Sequence, residues 1–162
     1  MKKTEIVFIL DRSGSMSGLE ADTIGGYNSM LKKQKDTRGE AIVTTVLFDD
    51  DYEVVHNRTN IEKILPISEK EYFVRGSTAL LDAVGKSVSK TINSIKNTKK
   101  AEQPDKVMFV IITDGMENSS KEYTYQKLKK MIDHQKKQYK WEFIFLGANI
   151  DAIATAAQFG ID

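Results

Sequence analysis

The sequence predicts an α/β protein with a doubly wound, Rossmann-like open sheet. Short apolar runs alternate with segments of helical periodicity along the 162 residues, which is the pattern of strand–helix units that build such a sheet. One of these runs, Ile6 to Leu10, ends abruptly at Asp11, as a strand buried in a parallel sheet does when it enters a polar loop. Open α/β sheets bind ligands at the carboxyl ends of their strands, so the loops that follow the strands are the first place to look for a site.

Five strands and five helical segments are predicted in order. The strands are 6–10, 41–48, 52–56, 106–113 and 141–146, and the helices are 18–35, 59–65, 79–97, 122–138 and 150–159. The turn Asp49-Asp50-Asp51 indicates a hairpin, so the third strand is expected to be antiparallel at the edge of the sheet. These aspartates are interpreted as solvated turn residues, with a second metal site as the alternative. Phe73 is expected to anchor the loop 66–75.

Three sequences of the form Ser/Thr-x-x-Glu are interpreted as capping boxes, in which two side chains satisfy backbone N–H groups at a helix start. They are Ser17/Glu20, Thr59/Glu62 and Ser119/Glu122. Each precedes one of the predicted helices. Helix starts are therefore expected close to these positions.

Length and composition indicate a single domain over 1–162. The net charge is +1 and there is no cysteine, so nothing favours a nucleic-acid or membrane partner, and disulfides and thiolate metal sites are excluded. The lysines of segment 122–138 are interpreted as a solvated helix face. The N-terminal apolar run is too short for a secretory signal, so a cytoplasmic protein is expected. Oligomeric state, and whether the natural chain continues past Asp162, stay open.

Oxygen-bearing side chains stand where three of the predicted elements meet loops. Asp11, Ser13 and Ser15 follow the first strand at alternating positions, Thr78 precedes the middle helix, and Asp114 closes the most hydrophobic strand. Hydroxyl and carboxylate oxygens suit a hard cation such as Mg²⁺, which takes roughly six of them. The sequence therefore predicts a divalent-cation site at the carboxyl edge of the sheet.

These elements, in this order, resemble the von Willebrand factor A (VWA) family and its metal-ion-dependent adhesion site, in the form of a bacterial-type single domain. The resemblance covers nearly the whole chain and implies strand order 3-2-1-4-5, with helices on both faces. It also implies that Ser13, Ser15 and Thr78 coordinate the metal directly, while Asp11 and Asp114 act mostly through water or by hydrogen bonds to the hydroxyls, with direct ligation by one of them as the alternative. The implied function is a protein-interaction module whose metal, Mg²⁺ with Mn²⁺ or Ca²⁺ as alternatives, accepts an Asp or Glu from a partner protein.

Other interpretations stay open. The five residues can be turn formers and helix caps, or a correctly built site that stays empty. A Mg²⁺-dependent phosphohydrolase of the haloacid dehalogenase type also places Asp after its first strand, but its general acid would occupy the position of Ser13. No P-loop or Gly-x-Ser-x-Gly sequence is present, and an enzyme is not expected. A subunit that works beside an ATPase or in a stress response is a further possibility. It is a specific case of the protein-interaction hypothesis, and the sequence does not choose among such cases.

Overall fold

The computed structural model describes residues 2–115 and 117–147. This part of the chain contains five strands and three α-helices. The strands are β1 (Lys3–Asp11), β2 (Glu40–Phe48), β3 (Tyr52–Asn60), β4 (Lys106–Thr113) and β5 (Glu142–Gly147), and the helices are α1 (Glu20–Lys35), α2 (Leu80–Lys96) and α3 (Tyr125–Tyr139). The helix predicted over 150–159 lies outside the described residues. No helix in the described ranges combines the length and the apolar character needed to cross a bilayer.

The sheet has the predicted strand order, β3-β2-β1-β4-β5. β1 lies at its centre and pairs in parallel with both β2 and β4, while β3 runs antiparallel at the edge. The register places Asp11 beside Phe48 and Leu10 beside Ile112. Because β1 is covered on both faces, its residues from Ile6 to Leu10 are almost completely buried, which explains the continuous apolar run.

Helices cover both faces of the sheet, as the fold class requires. α1 buries Tyr27 and Leu31 in the core on one face. α2 and α3 bury their apolar stripes in the core on the other face, represented by Val84 and Leu128. Each helix therefore has one apolar stripe that the sheet removes from water. This arrangement leaves the loops at the carboxyl ends of β1 and β4 open at one rim.

None of the three predicted capping boxes forms. α1 begins at Glu20 and has no side-chain cap; the Glu20 carboxylate instead accepts a hydrogen bond from the backbone of Gly18. Thr59 belongs to β3, which extends to Asn60, four residues beyond the predicted end. The Asn60 side chain accepts from the backbone N–H of Glu62 and opens only a short 3₁₀ turn in place of the predicted helix.

The third predicted box is replaced by a cap further along the chain. α3 begins at Tyr125, and its N-cap Thr124 accepts a hydrogen bond from the backbone N–H of Lys127 at 3.1 Å. Ser119 and Glu122 lie in the preceding loop, where other partners bind the backbone. The backbone N–H groups of Ser119 and Glu122 donate to acceptors that are distant in sequence, so the local capping box does not form.

The turn between β2 and β3 is not simply solvated. Asp49 is 2% exposed and its carboxylate accepts hydrogen bonds from Arg75 Nε at 2.9 Å and from the backbone of Asp51 at 2.8 Å. Asp50 and Asp51 are exposed, as expected of a turn. The first aspartate therefore ties this turn to the loop that precedes α2.

Candidate metal site

The carboxylate of Asp11 is buried where β1 ends, and both of its oxygens are held. Oδ1 accepts a hydrogen bond from the backbone N–H of Ser13 at 2.8 Å, and Oδ2 accepts one from the hydroxyl of Thr113 at 2.7 Å. Since Thr113 is the last residue of β4, these contacts fix the carboxylate between two neighbouring strands.

The two serines of the first loop lie together. Their hydroxyl oxygens are 2.9 Å apart, with Ser13 as the extended residue before a 3₁₀ turn over Gly14–Met16 and Ser15 within that turn. Ser13 is fully buried and Ser15 is exposed. The backbone N–H of Gly14 donates to the carbonyl of Gly76 at 2.9 Å, which attaches this loop to the one that leads into α2.

Thr78, in that second loop, is 1% exposed. Its backbone N–H donates to Asn118 Oδ1 at 2.8 Å, and its carbonyl accepts from the backbone of Asn118 at 2.9 Å and of Ser119 at 3.0 Å. Within the described ranges, no hydrogen bond engages the Thr78 hydroxyl. The second loop is thus joined to the third, and it contributes a hydroxyl group that is suited to bind a ligand.

Asp114 follows Thr113 directly and is 4% exposed. Its negative charge lies close enough to Asp11 to raise the pKa of that carboxyl. The largest cause of that shift is burial; hydrogen bonds from Ser13 and Thr113 oppose it, and the net effect raises the pKa of Asp11 from 3.8 to about 6. Burial without a nearby cation disfavours the charged form. A bound cation would oppose this shift, because it favours the carboxylate.

The structure therefore brings the five predicted residues to one rim of the sheet. Asp11, Ser13 and Ser15 form one hydrogen-bonded group, while Thr78 and Asp114 reach the same rim on loops bonded to it. No group of three or more His, Cys, Asp or Glu side chains able to hold a metal occurs among the described residues. Two carboxylates with three hydroxyls form an oxygen-only donor set, which fits a hard divalent cation.

Sequence reasoning missed the residues that support this rim. The hydroxyl of Tyr72, 1% exposed, donates to the carbonyl of Asp11, and burial raises its pKa above the ordinary value. Tyr72 thus anchors the loop 66–75, whereas Phe73, the predicted anchor, is 49% exposed. Asn118 and Asp82 were missed as well. Their partners lie about 40 residues away in the chain, so no local pattern reveals them.

Comparison with known proteins adds evidence on the fold. No family model matches the chain, and no curated protein matches it. The manganese-loaded TRAP protein of Plasmodium vivax is similar in structure, with 18% identity, a TM-score of 0.68, and coverage of 99% of this chain and 64% of that one. The ArnB paralog VWA2 of Sulfolobus acidocaldarius has 18% identity and a TM-score of 0.53, covering 88% of this chain and 34% of that one.

A third similar structure is an aerotolerance-related membrane protein of Bacteroides fragilis, with 18% identity, a TM-score of 0.51, and coverage of 86% of this chain and 65% of that one. The chain thus spans less than two thirds of each of these proteins. At such identities the likeness concerns the fold alone. Together with the strand order β3-β2-β1-β4-β5 and the antiparallel edge strand, it shows that the chain has a VWA-like fold.

Proposed function

We propose that this chain is a divalent-metal-dependent protein-interaction module. The metal, Mg²⁺ with Mn²⁺ or Ca²⁺ as alternatives, would be held by Asp11, Ser13, Ser15, Thr78 and Asp114 and would accept an Asp or Glu side chain from a partner protein. The observation that carries the proposal is the buried Asp11 carboxylate set among hydroxyl groups. Burial makes its charge costly, and a cation offsets that cost.

The hydrogen bonds support a division of roles among the five residues. Both oxygens of Asp11 are already bound, so Asp11 is suited to orient the first loop and to supply charge through water. The hydroxyls of Ser13, Ser15 and Thr78 are suited to direct coordination. With few carboxylates bound directly, the cation keeps affinity for a further negatively charged oxygen, and a partner's carboxylate provides one.

The manganese-loaded state of the Plasmodium vivax structure supports the idea that a divalent cation belongs to this kind of domain. That metal is a property of the other protein. Its bearing on this chain depends on the donor atoms described above.

Titration calorimetry of the metal-free protein with Mg²⁺ and Mn²⁺ tests the site. Ser15→Ala removes one proposed ligand from an exposed position, and Ser17→Ala is its matched control two residues away, also exposed. We expect saturable binding by the wild type and by Ser17→Ala, and loss of binding in Ser15→Ala with an unchanged circular dichroism spectrum. Equal binding by both variants, or none by the wild type, contradicts the proposed site.

The partner's chemistry is tested separately. A short peptide with one Asp is titrated into ¹⁵N-labelled protein with Mg²⁺, and the same peptide with Asn in place of Asp is the control. We expect chemical-shift changes around Ser15 and Thr78 that need both Mg²⁺ and the carboxylate. Changes of equal size with the Asn peptide, or without metal, argue against carboxylate capture.

A further inference from the structure

The start of α2 is capped by another part of the chain. Its N-cap residue Ala79 makes no side-chain cap, and the first N–H groups of any helix lack partners within the helix. Here the backbone N–H of Leu81 donates to Glu117 Oε1 at 2.9 Å, and that of Asp82 donates to Ser120 Oγ at 2.9 Å. The loop after β4 therefore satisfies the helix start from a distance of about 40 residues in sequence.

The loop is bound in return by the helix. The carboxylate of Asp82 accepts hydrogen bonds from three successive backbone N–H groups, those of Lys121 at 2.7 Å, Glu122 at 3.0 Å and Tyr123 at 2.9 Å. We call the segments 78–82 and 117–123, joined by these bonds, the α2 clamp. Each segment supplies acceptors for backbone N–H groups of the other.

Beyond the hydrogen bonds of the α2 clamp, an aromatic ring of the loop packs on α2. The ring of Tyr123 packs directly against Gly85, where any Cβ atom would collide with it. The Tyr123 hydroxyl lies 3.0 Å from that of Ser89, one helical turn further on, and Lys127 Nζ stands 4.7 Å from the ring centroid. The loop is thus fixed on the helix along about two turns.

The α2 clamp joins a segment that carries one proposed metal ligand to a segment that closely follows another in the chain. Thr78 is the first residue of one, and Asp114 stands three residues before the other. They come from different loops, so the spacing of their oxygens depends on how those loops are joined. Asp82 joins the two loops through three hydrogen bonds. It is not itself a proposed metal ligand.

We infer that Asp82 is a positioning residue for the proposed metal site: through the α2 clamp it sets the distance between the Thr78 hydroxyl and the Asp114 carboxylate without touching the metal. This inference rests on the proposed function. Mg²⁺ demands near-ideal octahedral geometry, whereas Ca²⁺ accepts irregular coordination. Loosening the clamp should therefore weaken Mg²⁺ binding far more than Ca²⁺ binding.

The test compares Asp82→Asn with Asp36→Asn, an aspartate substitution at an exposed position at the end of α1. Asn can accept through only one oxygen, so part of the bonding to 121–123 is lost, and faster amide exchange of these residues verifies that loss. Calorimetry with Mg²⁺ and with Ca²⁺ is then run on each variant. We expect Asp82→Asn to weaken Mg²⁺ binding by about 10-fold or more, as loss of support around metal ligands does, and the ratio of Mg²⁺ to Ca²⁺ affinity to fall; Asp36→Asn should change neither.

Loss of stability alone would not alter the ratio of Mg²⁺ to Ca²⁺ affinity. If Asp82 has only a structural role, Asp82→Asn keeps the wild-type ratio, and that result overturns the inference. If Asp82→Asn does not fold, Ser120→Ala removes the hydroxyl that accepts from the Asp82 backbone and donates to Glu117, and it is expected to lower the ratio in the same direction. A folded Ser120→Ala with the wild-type ratio overturns the inference. A wild type that binds neither metal refutes the proposed function together with this inference. Wild-type binding with an unaltered Asp82→Asn ratio refutes the inference alone.

Discussion

At the scale of single residues, the burial of Asp11 has a consequence for stability. Its pKa in the folded protein is about 6, raised from the ordinary 3.8 mainly by burial. Well below pH 3.8 the group is protonated in both the folded and the unfolded state and has no effect on stability. As the pH rises towards 6 the unfolded state ionises more readily, so the metal-free fold loses stability, by about 3 kcal/mol at pH 7.

Asp11→Asn removes that charge and keeps the shape of the side chain. We expect the metal-free variant to be more stable than the wild type at pH 7 by about 1–3 kcal/mol, since one hydrogen bond is weakened. At pH 4 we expect no gain. Urea unfolding with a chelator at both pH values measures this, and a gain that is the same at pH 4 and pH 7 would contradict the assigned cause.

A second residue-level prediction concerns Glu5, which is 1% exposed. Arg58 binds both of its carboxylate oxygens at 2.9 Å. Arg58→Gln leaves the buried charge without its partner and is expected to cost about 3 kcal/mol in urea unfolding. Arg58 has a positive φ of 48°. Gln is a suitable replacement because, like Arg, it is not glycine, so the energetic cost of this φ stays nearly the same.

The double variant Glu5→Gln/Arg58→Gln should recover much of this loss, since no unpaired charge remains. Arg38→Gln, at an exposed position, serves as the control and should change the free energy of unfolding by less than about 0.5 kcal/mol. A double variant no more stable than Arg58→Gln would show that the charge of Glu5 is not the cause.

At the scale of elements, two glycines inside helices should respond oppositely to alanine. Gly85 of α2 lies against the ring of Tyr123, whereas a Cβ at Gly25 of α1 would meet no atom within 4 Å. We expect Gly25→Ala to stabilise the fold by about 0.5–1 kcal/mol through helix propensity. Gly85→Ala should destabilise it by about 1–3 kcal/mol because of the collision. Thermal unfolding of the two variants checks this, and the same sign in both would contradict the packing.

The sequence predicted elements better than it predicted their ends. Apolar periodicity identifies β1, β2 and β4 because their burial is continuous, and the hairpin signal gives the direction of β3. The start of α3 was placed three residues too early because Ser119 and Glu122 have the spacing of a capping box, while the backbone N–H of Glu122 is bound by Asp82. Asp49 was interpreted as solvated because Arg75, which donates a hydrogen bond to its carboxylate, is 26 positions away in the chain. Contacts of this length leave no local trace.

At the scale of the whole molecule, a bound metal should stabilise the fold. Mg²⁺ at 100 times its dissociation constant contributes about 2.7 kcal/mol, which for a domain of this size raises the melting temperature by about 5–10 °C. The shift should shrink below pH 6, where protons compete for Asp11. Differential scanning calorimetry at pH 7.5 and pH 5 measures both shifts. Ser17→Ala should keep the shift at pH 7.5 and Asp11→Asn should lose it; an equal shift in Asp11→Asn would place the metal elsewhere.

The candidate metal ligands could be predicted from the sequence, whereas the residues that hold them in place could not. Each candidate stands at a junction that periodicity locates, such as the end of β1 at Asp11 or the start of α2 near Thr78. The α2 clamp and the Tyr72 anchor exist only after distant segments have packed together. The sequence therefore indicates the donor atoms, and the tertiary structure supplies what holds them in place.

The central position of β1 also bears on how the chain is made. β1 pairs on one side with β2 and on the other with β4, whose residues follow roughly 100 positions later. At a synthesis rate of about 5–20 residues per second, β1 waits about 5–20 s with one edge unpaired and its apolar side chains incompletely covered. An exposed apolar strand is prone to aggregation. A nascent chain of this fold therefore has a vulnerable interval that ends only when β4 leaves the ribosome, and chaperone dependence should be greatest for chains stalled before that point.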